Sequence, residues 1–142
     1  MIKIYRKTAT IKAEKFNDTN DQVFVNTCRK YKLVQPGNDL HLELPTMEGL
    51  MKIEYGDWIA TGVKGEHWAI ADEIFKQTYA ELPVIPGKVA KFIEFYKKNY
   101  SLANLFMDSA NQTQMFEALW VDQHQETAAR AWLDGYQIGV DE

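Results

Sequence analysis

The stretch GDWIATGVKGEHWAI, residues 56–70, sets two indoles, an imidazole and two carboxylates around one lysine. Those side chains could recognise a ligand: Trp58 or Trp68 stacking on a planar base, Lys64 meeting a phosphate with help from Arg29 or Lys30, and Glu66 and His67 completing the set. The same stretch could equally be a hairpin, because Gly56, Gly62 and Gly65 supply the backbone freedom that tight reversals need. On that reading Trp58 and Trp68 lie on flanking strands and pair across the ladder, each burying ~150–250 Å² as architecture, with Lys64 and Glu66 projecting from the tip. The balance of residue types favours the hairpin.

Other chemistry is thinly represented. His41, His67 and His124 lie far apart and form neither a zinc-ligand pair on one helix face nor a Cys/His cluster, so no metal and no cofactor is expected. His41 alternates outward between leucines, His124 sits in the first turn of a polar helix start, and only His67 merits a test. Cys28 is the sole cysteine, which excludes an intramolecular disulfide. It falls on the apolar side of a predicted helix, without the neighbouring base that lowers a thiol's pKa. GVKG lacks the glycine-lysine-hydroxyl arrangement of a phosphate loop, and no G-x-S-x-G elbow occurs. Glu48, Asp57, Glu66 and Asp72 fall at predicted turns where acid and base could meet. Asp57 is expected instead to accept backbone N–H bonds in its own turn, and Asp72 to cap a short helix. No catalytic residue is assigned, and an enzyme is not expected.

The elements that must position these residues follow from periodicity. TATIKAEKF reads as a strand with Ile11 and Ala13 inward and Lys12 and Glu14 toward water. Residues 20–34 read as a helix, with Val23, Phe24, Thr27, Cys28, Tyr31 and Val34 at spacings of three and four, Asn20 or Asp21 as N-cap, and QPGND as terminator. Leu40, Leu42 and Leu44 alternate as a strand that Pro45 ends, and Met51, Ile53 and Tyr55 share one side of the next. With WIATG and EHWAI these make an antiparallel β meander, followed by a short helix and a return strand through Tyr79 and Leu82.

The prolines of LPVIPG mark a linker, giving a domain at 1–83 and a helical domain at 84–142. Val89, Phe92, Ile93 and Tyr96 form the first apolar stripe of that second domain, and Ser101 caps a helix carrying Leu102, Leu105 and Phe106. Met115, Phe116, Leu119 and Trp120 form another stripe. Asp122 with Gln125 resembles a capping box before a last helix with Ala129, Trp132, Leu133 and Tyr136, closed by Gly135. The expected class is therefore α+β: an antiparallel β meander with an N-terminal helix, followed by a small C-terminal helical bundle.

Charge is unevenly spread. Residues 1–34 hold eight bases against three acids, net +5, whereas residues 108–142 hold one base, Arg130, against seven acids, net −6. Such an arrangement fits attraction between the ends, separate charged docking faces or, with equal weight to those two together, two solvated faces with no partner. Lys12, Lys15, Lys52 and Lys64 could touch phosphates, but a pI near 5.4 and the absence of a reading helix or stacking platform argue against nucleic-acid binding. No stretch approaches the ~20 apolar residues of a membrane span, and the first residues lack the apolar run of a secretory signal, so a cytoplasmic protein is expected.

Residues 47–82, MEGLMKIEYGDWIATGVKGEHWAIADEIFKQTYAEL, resemble a segment of small phage and prophage accessory proteins of Gram-positive hosts. That segment has the pattern T-x-E-G, a short strand, P-G-D-W-I, G-V-K-G-E, then D-x-F-x-x-T-Y. The match runs through Glu48, Gly49, Gly56, Asp57, Trp58, Ile59, Gly62 to Glu66, Asp72 or Glu73, Phe75, Thr78 and Tyr79, with Tyr55 in place of the proline and Met47 in place of a leucine. ETAARAWLDGYQI, residues 126–138, is similar to the F-A-R-A-W-L-D-G-Y ending of a domain of unknown function in phage proteins of lactic-acid bacteria, with Ala128 where the aromatic stands. The two resemblances imply a phage origin and bring no assigned activity.

The functional expectation is a non-catalytic binding protein acting in the host cytoplasm on a host or phage protein, an inhibitor of host antiviral defence being one form. The alternative is a protein that binds and sequesters a nucleotide or other small molecule. Because the C-terminal helices carry more large apolar side chains than a short bundle hides, a homodimer is expected, with Phe92, Tyr96, Phe116, Trp120, Arg130 and Trp132 as the partner or self-association set.

Overall fold

Helices and strands divide between two units, Met1–Tyr79 and Ala80–Glu142, in the computed structural model, which describes residues 1–17, 20–37, 41–112 and 114–139. The division falls at Tyr79/Ala80, against 83/84 in the sequence reading. The class is α+β, with the N-terminal helix and the C-terminal helices both present. Leu40 and the Asn38–Asp39 end of the expected helix terminator lie outside the described residues.

In the first unit the elements are β1 (Lys12–Lys15), α1 (Asp21–Tyr31), β2 (Leu42–Thr46), β3 (Gly49–Ile53), β4 (Trp58–Thr61), β5 (His67–Ile70) and α2 (Asp72–Thr78). The two expected hairpins form, and the meander comes in two antiparallel pieces: β2 pairs with β3, while β4 is sandwiched between β1 and β5 in a three-stranded sheet. The core gathers Phe16, Tyr31, Leu44, Ile53, Ile59 and Ala69, with Phe24, Leu33 and Leu42 packed around it. The two pieces meet where the Ala69 N–H approaches the Met51 sulfur at 3.4 Å.

Phe16 reverses the expected phase of β1. Its ring is fully buried and stacks on Tyr55 with centroids 5.1 Å apart. A strand alternates faces residue by residue, so anchoring Phe16 inward turns Glu14 toward the core side and leaves Ala13 exposed, the opposite of the sequence reading. α1 starts where expected, the Asn20 side chain accepting from the Val23 N–H at 2.9 Å. It stops at Tyr31, short of Val34, because Lys32 takes the left-handed conformation at φ 56°.

Pro45 does not end β2; the strand runs through it, pairing Pro45 with Leu50. Glu43 spends its backbone groups on Val34, its N–H reaching the Val34 carbonyl at 2.8 Å. Residue 45 faces the same way, beyond the single bridge at Val34, where a missing N–H deprives no neighbour.

The second unit contains β6 (Val84–Pro86), α3 (Gly87–Asn99), α4 (Leu102–Asn111), α5 (Phe116–Gln123), α6 (Gln125–Asp134) and β7 (Gln137–Gly139). The LPVIPG stretch is thus no linker. Val84–Pro86 pairs in parallel with Gln137–Gly139, a ladder the sequence reading lacked, and the expected return strand through Tyr79 and Leu82 is absent. Ile85, Val89, Ala90, Ile93, Tyr96, Leu105, Val121, Ala128 and Ala131 make the core. Ser101 caps α4 as expected, with Asn104 completing a capping box.

The faces of the last two helices are rotated from expectation. α5 buries Ala118 and Val121 rather than Met115, Phe116 and Leu119. α6 buries Ala128 and Ala131 rather than Ala129 and Leu133, the latter 68% exposed. Small residues win these positions because they let helices approach closely, which a leucine would prevent. The Asp122–Gln125 capping box does not form: the N-cap is His124, without a side-chain cap, and Gln125 Nε2 only reaches Asp122 at 3.4 Å. Gly135 does close α6, at φ 98°.

Candidate functional site

Trp58 and Trp68 share one face of the three-stranded sheet but do not stand opposite each other. Trp58 is paired with Ile70 and Trp68 with Ala60, which makes the indoles diagonal neighbours. Trp58 instead stacks on Phe75 of α2, centroids 4.0 Å apart at 11°, and Phe75 stacks on Tyr79 at 5.3 Å. Lys7 closes the row by donating to the Tyr79 hydroxyl at 2.8 Å.

The hub of this face is Asp72. It does not cap α2, whose N-cap Ala71 offers no side-chain bond. Its Oδ1 accepts from Trp58 Nε1 at 2.8 Å and lies 3.7 Å from Lys15 Nζ, while Lys76 Nζ reaches Oδ2 at 2.9 Å. The Lys76 ammonium first, then the indole N–H, hold the Asp72 carboxyl at about 2. These contacts fasten α2 to the sheet through one carboxylate.

His67 lies on the opposite, core-side face. Its Nδ1 is 3.0 Å from Thr61 Oγ1, and the Tyr31 ring meets it edge-on at 5.0 Å. Nearby, Glu14 accepts from Lys30 Nζ at 2.7 Å and from the Tyr31 hydroxyl. Burial pushes Glu14 up, but the bonds from Lys30 and Tyr31 outweigh it and leave the carboxyl below its ordinary value. Burial, then the bond to Glu14, pushes Tyr31 up. Neither group is moved toward neutrality, where general acid-base work is done. Burial likewise raises the Cys28 thiol, which keeps it protonated.

Glu66 does not project from the hairpin tip. It folds back so that Oε2 accepts from the Lys64 N–H at 2.9 Å, over a turn closed by Gly62 N–H to the Glu66 carbonyl at 2.9 Å and by Gly65 at φ 78°. A Cβ on Gly62 would overlap that carboxylate. The G-V-K-G-E run is therefore a self-bonded turn. Asp57 behaves as expected, accepting from the Glu54 N–H at 2.9 Å.

The five candidate ligand residues, Trp58, Lys64, Glu66, His67 and Trp68, are thus parted between two sheet faces and a turn. An open cavity of about 260 Å³ lies elsewhere in this unit, lined by Phe16, His41, Leu42, Lys52, Ile53, Glu54 and Tyr55, and its lysine is paired with Glu54 at 3.2 Å. Among the described residues no group of three or more His, Cys, Asp or Glu could hold a metal ion, and no helix is long and apolar enough to cross a membrane.

In the second unit the expected partner set also divides. Tyr96 is core, its hydroxyl donating to Asp108 at 2.8 Å and pushed up to about 12 by burial and that bond. Phe92, Trp120 and Trp132 are half-buried against the core, Trp120 also stacking on His124 at 4.3 Å. Arg130 donates to the Glu81 carbonyl at 3.2 Å. Phe116 alone of the aromatic rings in the set is outward, 50% exposed.

α5 explains why. At 100° per residue, Ala118 and Val121 face the core, and Phe116, Leu119 and Gln123 fall on the opposite side with Trp120 at its flank. Leu119 is 37% exposed, and Met115, just before the helix, is also exposed. A helix apolar on two opposite faces is built to be covered twice. Its acids, Glu117 and Asp122, lie between the two faces, and α5 carries no base.

Fold and surface define an α+β protein with a satisfied, aromatic-faced sheet and a helical unit exposing an apolar face. Residues 80–139, less than half of the chain, match the model of a family described as Protein of unknown function (DUF1642). No curated protein and no solved structure matches the chain.

Proposed function

We propose that this chain is a phage-encoded, non-catalytic binding protein that works in the cytoplasm of its bacterial host by docking on a host or phage protein, with inhibition of host antiviral defence as one concrete form. The observation that carries the reading is the outward apolar face of α5, Phe116 with Leu119, set opposite the face that already fills the core. Exposed apolar surface rimmed by charge is the mark of a protein-docking site. The phage assignment rests on the resemblance of residues 47–82 and 126–138. The nucleotide alternative draws no support from Trp58, whose ring is already stacked on Phe75 and whose indole N–H is bonded to Asp72.

The test is capture from infected cells with tagged full-length protein and with Phe116→Asp/Leu119→Asp. A partner retained by the first and lost by the second, while far-UV circular dichroism stays unchanged, supports the reading. Recovery of nothing above background, or equal recovery by both, rejects it.

A further inference from the structure

We infer that the outward face of α5 is covered by the outward face of α3 from a second copy of this chain, joining the copies head to tail. The inference rests on α5 being a docking face and adds what covers it. In α3 the buried residues are Val89, Ala90, Ile93 and Tyr96. At 100° per residue Lys88, Lys91, Phe95 and Lys98 fall on the side away from them, a strip about 15 Å long. Phe95 is 54% exposed, as is Tyr100, which follows the helix with its ring 6.0 Å from that of Phe95. The one acid of α3, Glu94, stands at the flank and accepts from the Tyr136 hydroxyl at 3.1 Å. Among the described residues no acid pairs with Lys88, Lys91 or Lys98, although acids outnumber bases in the unit.

α5 is the complement. Phe116 and Leu119 are flanked by Glu117 on one side and Asp122 on the other, with Glu126 exposed at the start of α6, and among the described residues no cation pairs with these three acids. Charge selects the pairing. α3 against α3 sets lysine against lysine, and α5 against α5 sets Glu117 and Asp122 against the same acids; α3 against α5 brings opposite charges together around two apolar centres. Both faces belong to the unit Ala80–Glu142, yet they cannot meet within it, because the two helices pack on each other and share one core, which turns their outward faces apart. The complement of each face therefore lies on another copy. Such a contact joins two different surfaces, so every added copy offers the same pair of faces again.

Sedimentation velocity of the full chain over roughly 1–100 µM tests this. The average mass should rise with concentration past twice 16.4 kDa and fall again as salt is raised. Lys88→Glu/Lys91→Glu/Lys98→Glu and Phe116→Asp/Leu119→Asp should each raise the dissociation constant at least about tenfold. Far-UV circular dichroism should stay unchanged in both, since every replaced side chain lies outside the core. The first variant keeps α5 and the second keeps α3, so an equimolar mixture should form a 1:1 pair of twice 16.4 kDa and nothing larger. A monomer throughout the range overturns the inference, as does association of the native chain indifferent to salt, association that either variant leaves intact, a mixture that stays monomeric, or one that grows beyond the pair. Should the chain stay monomeric yet lose its captured partner on Phe116→Asp/Leu119→Asp, the second-copy assignment falls while the docking reading stands.

Discussion

Val121 and Phe116 sit on opposite sides of α5, and replacing each by alanine separates core from surface. Val121 is fully buried, so Val121→Ala removes two methyl groups, about 1.6 kcal/mol of transfer free energy at ~0.8 each. A residual cavity of roughly 40 Å³ adds about 1 kcal/mol, and the better helix propensity of alanine returns about 0.5. The net loss is about 2 kcal/mol. For a unit of this length a stability of about 3–9 kcal/mol is ordinary, so the loss is a large share of the whole. Phe116→Ala removes a ring that lies outside the core cluster, and the propensity gain offsets part of the loss, leaving a change within about 1 kcal/mol. Amide hydrogen exchange across α3 to α6 reads both. Val121→Ala should speed exchange of the slowest amides about 30-fold and Phe116→Ala less than about fivefold. Equal or greater acceleration by Phe116→Ala would refute the two-faced reading of α5.

The remaining predictions concern the first unit. Gly62→Ala should cost about 1 kcal/mol in urea unfolding, because the Glu66 carboxylate must leave the Lys64 N–H, and the penalty should shrink in a Glu66→Ala background; additive losses would contradict this. Gly65→Ala should cost about 1–2 kcal/mol, since φ 78° strains any L side chain. Trp58→Phe should raise the Asp72 carboxyl from about 2 only part of the way to 3.8, the larger contribution of Lys76 remaining, as seen by carboxyl NMR titration. Glu14 has a folded pKa below 4.5, so its contribution is present above pH 4.5 and is lost as pH falls through the folded value. The stability gap between the native chain and Glu14→Gln, about 1 kcal/mol or less for so exposed a pair, should therefore close in acid.

What the sequence made legible was local. The Asn20 and Ser101 caps, the stripe of Val89, Ile93 and Tyr96, the Asp57 turn and the Gly135 closure each depend on neighbours within a few positions, and each forms. What stayed hidden depends on distance along the chain or on competition. β6 meets β7 across some fifty residues, and two three-residue strands carry no periodicity to announce it. α5 is apolar on two opposite sides, so its sequence could not say whether Phe116 or Val121 would face inward; packing against α3 and α4 decided it. The Asp72–Lys76 pair was readable as an i, i+4 contact, whereas Trp58 to Asp72 spans fourteen residues and needed the fold. Glu14 turns inward because Phe16, two residues on, is large enough to set the strand's phase.

The β6–β7 ladder lays Val84 beside Gln137, so the polypeptide enters and leaves the helical unit at one spot. A piece that closes on its own ends can be spliced onto unrelated neighbours without disturbing its interior. It also tolerates rewiring: joining residue 139 to residue 80 and cutting at the Tyr100–Ser101 junction should yield a permuted chain with the same four helices in the same places.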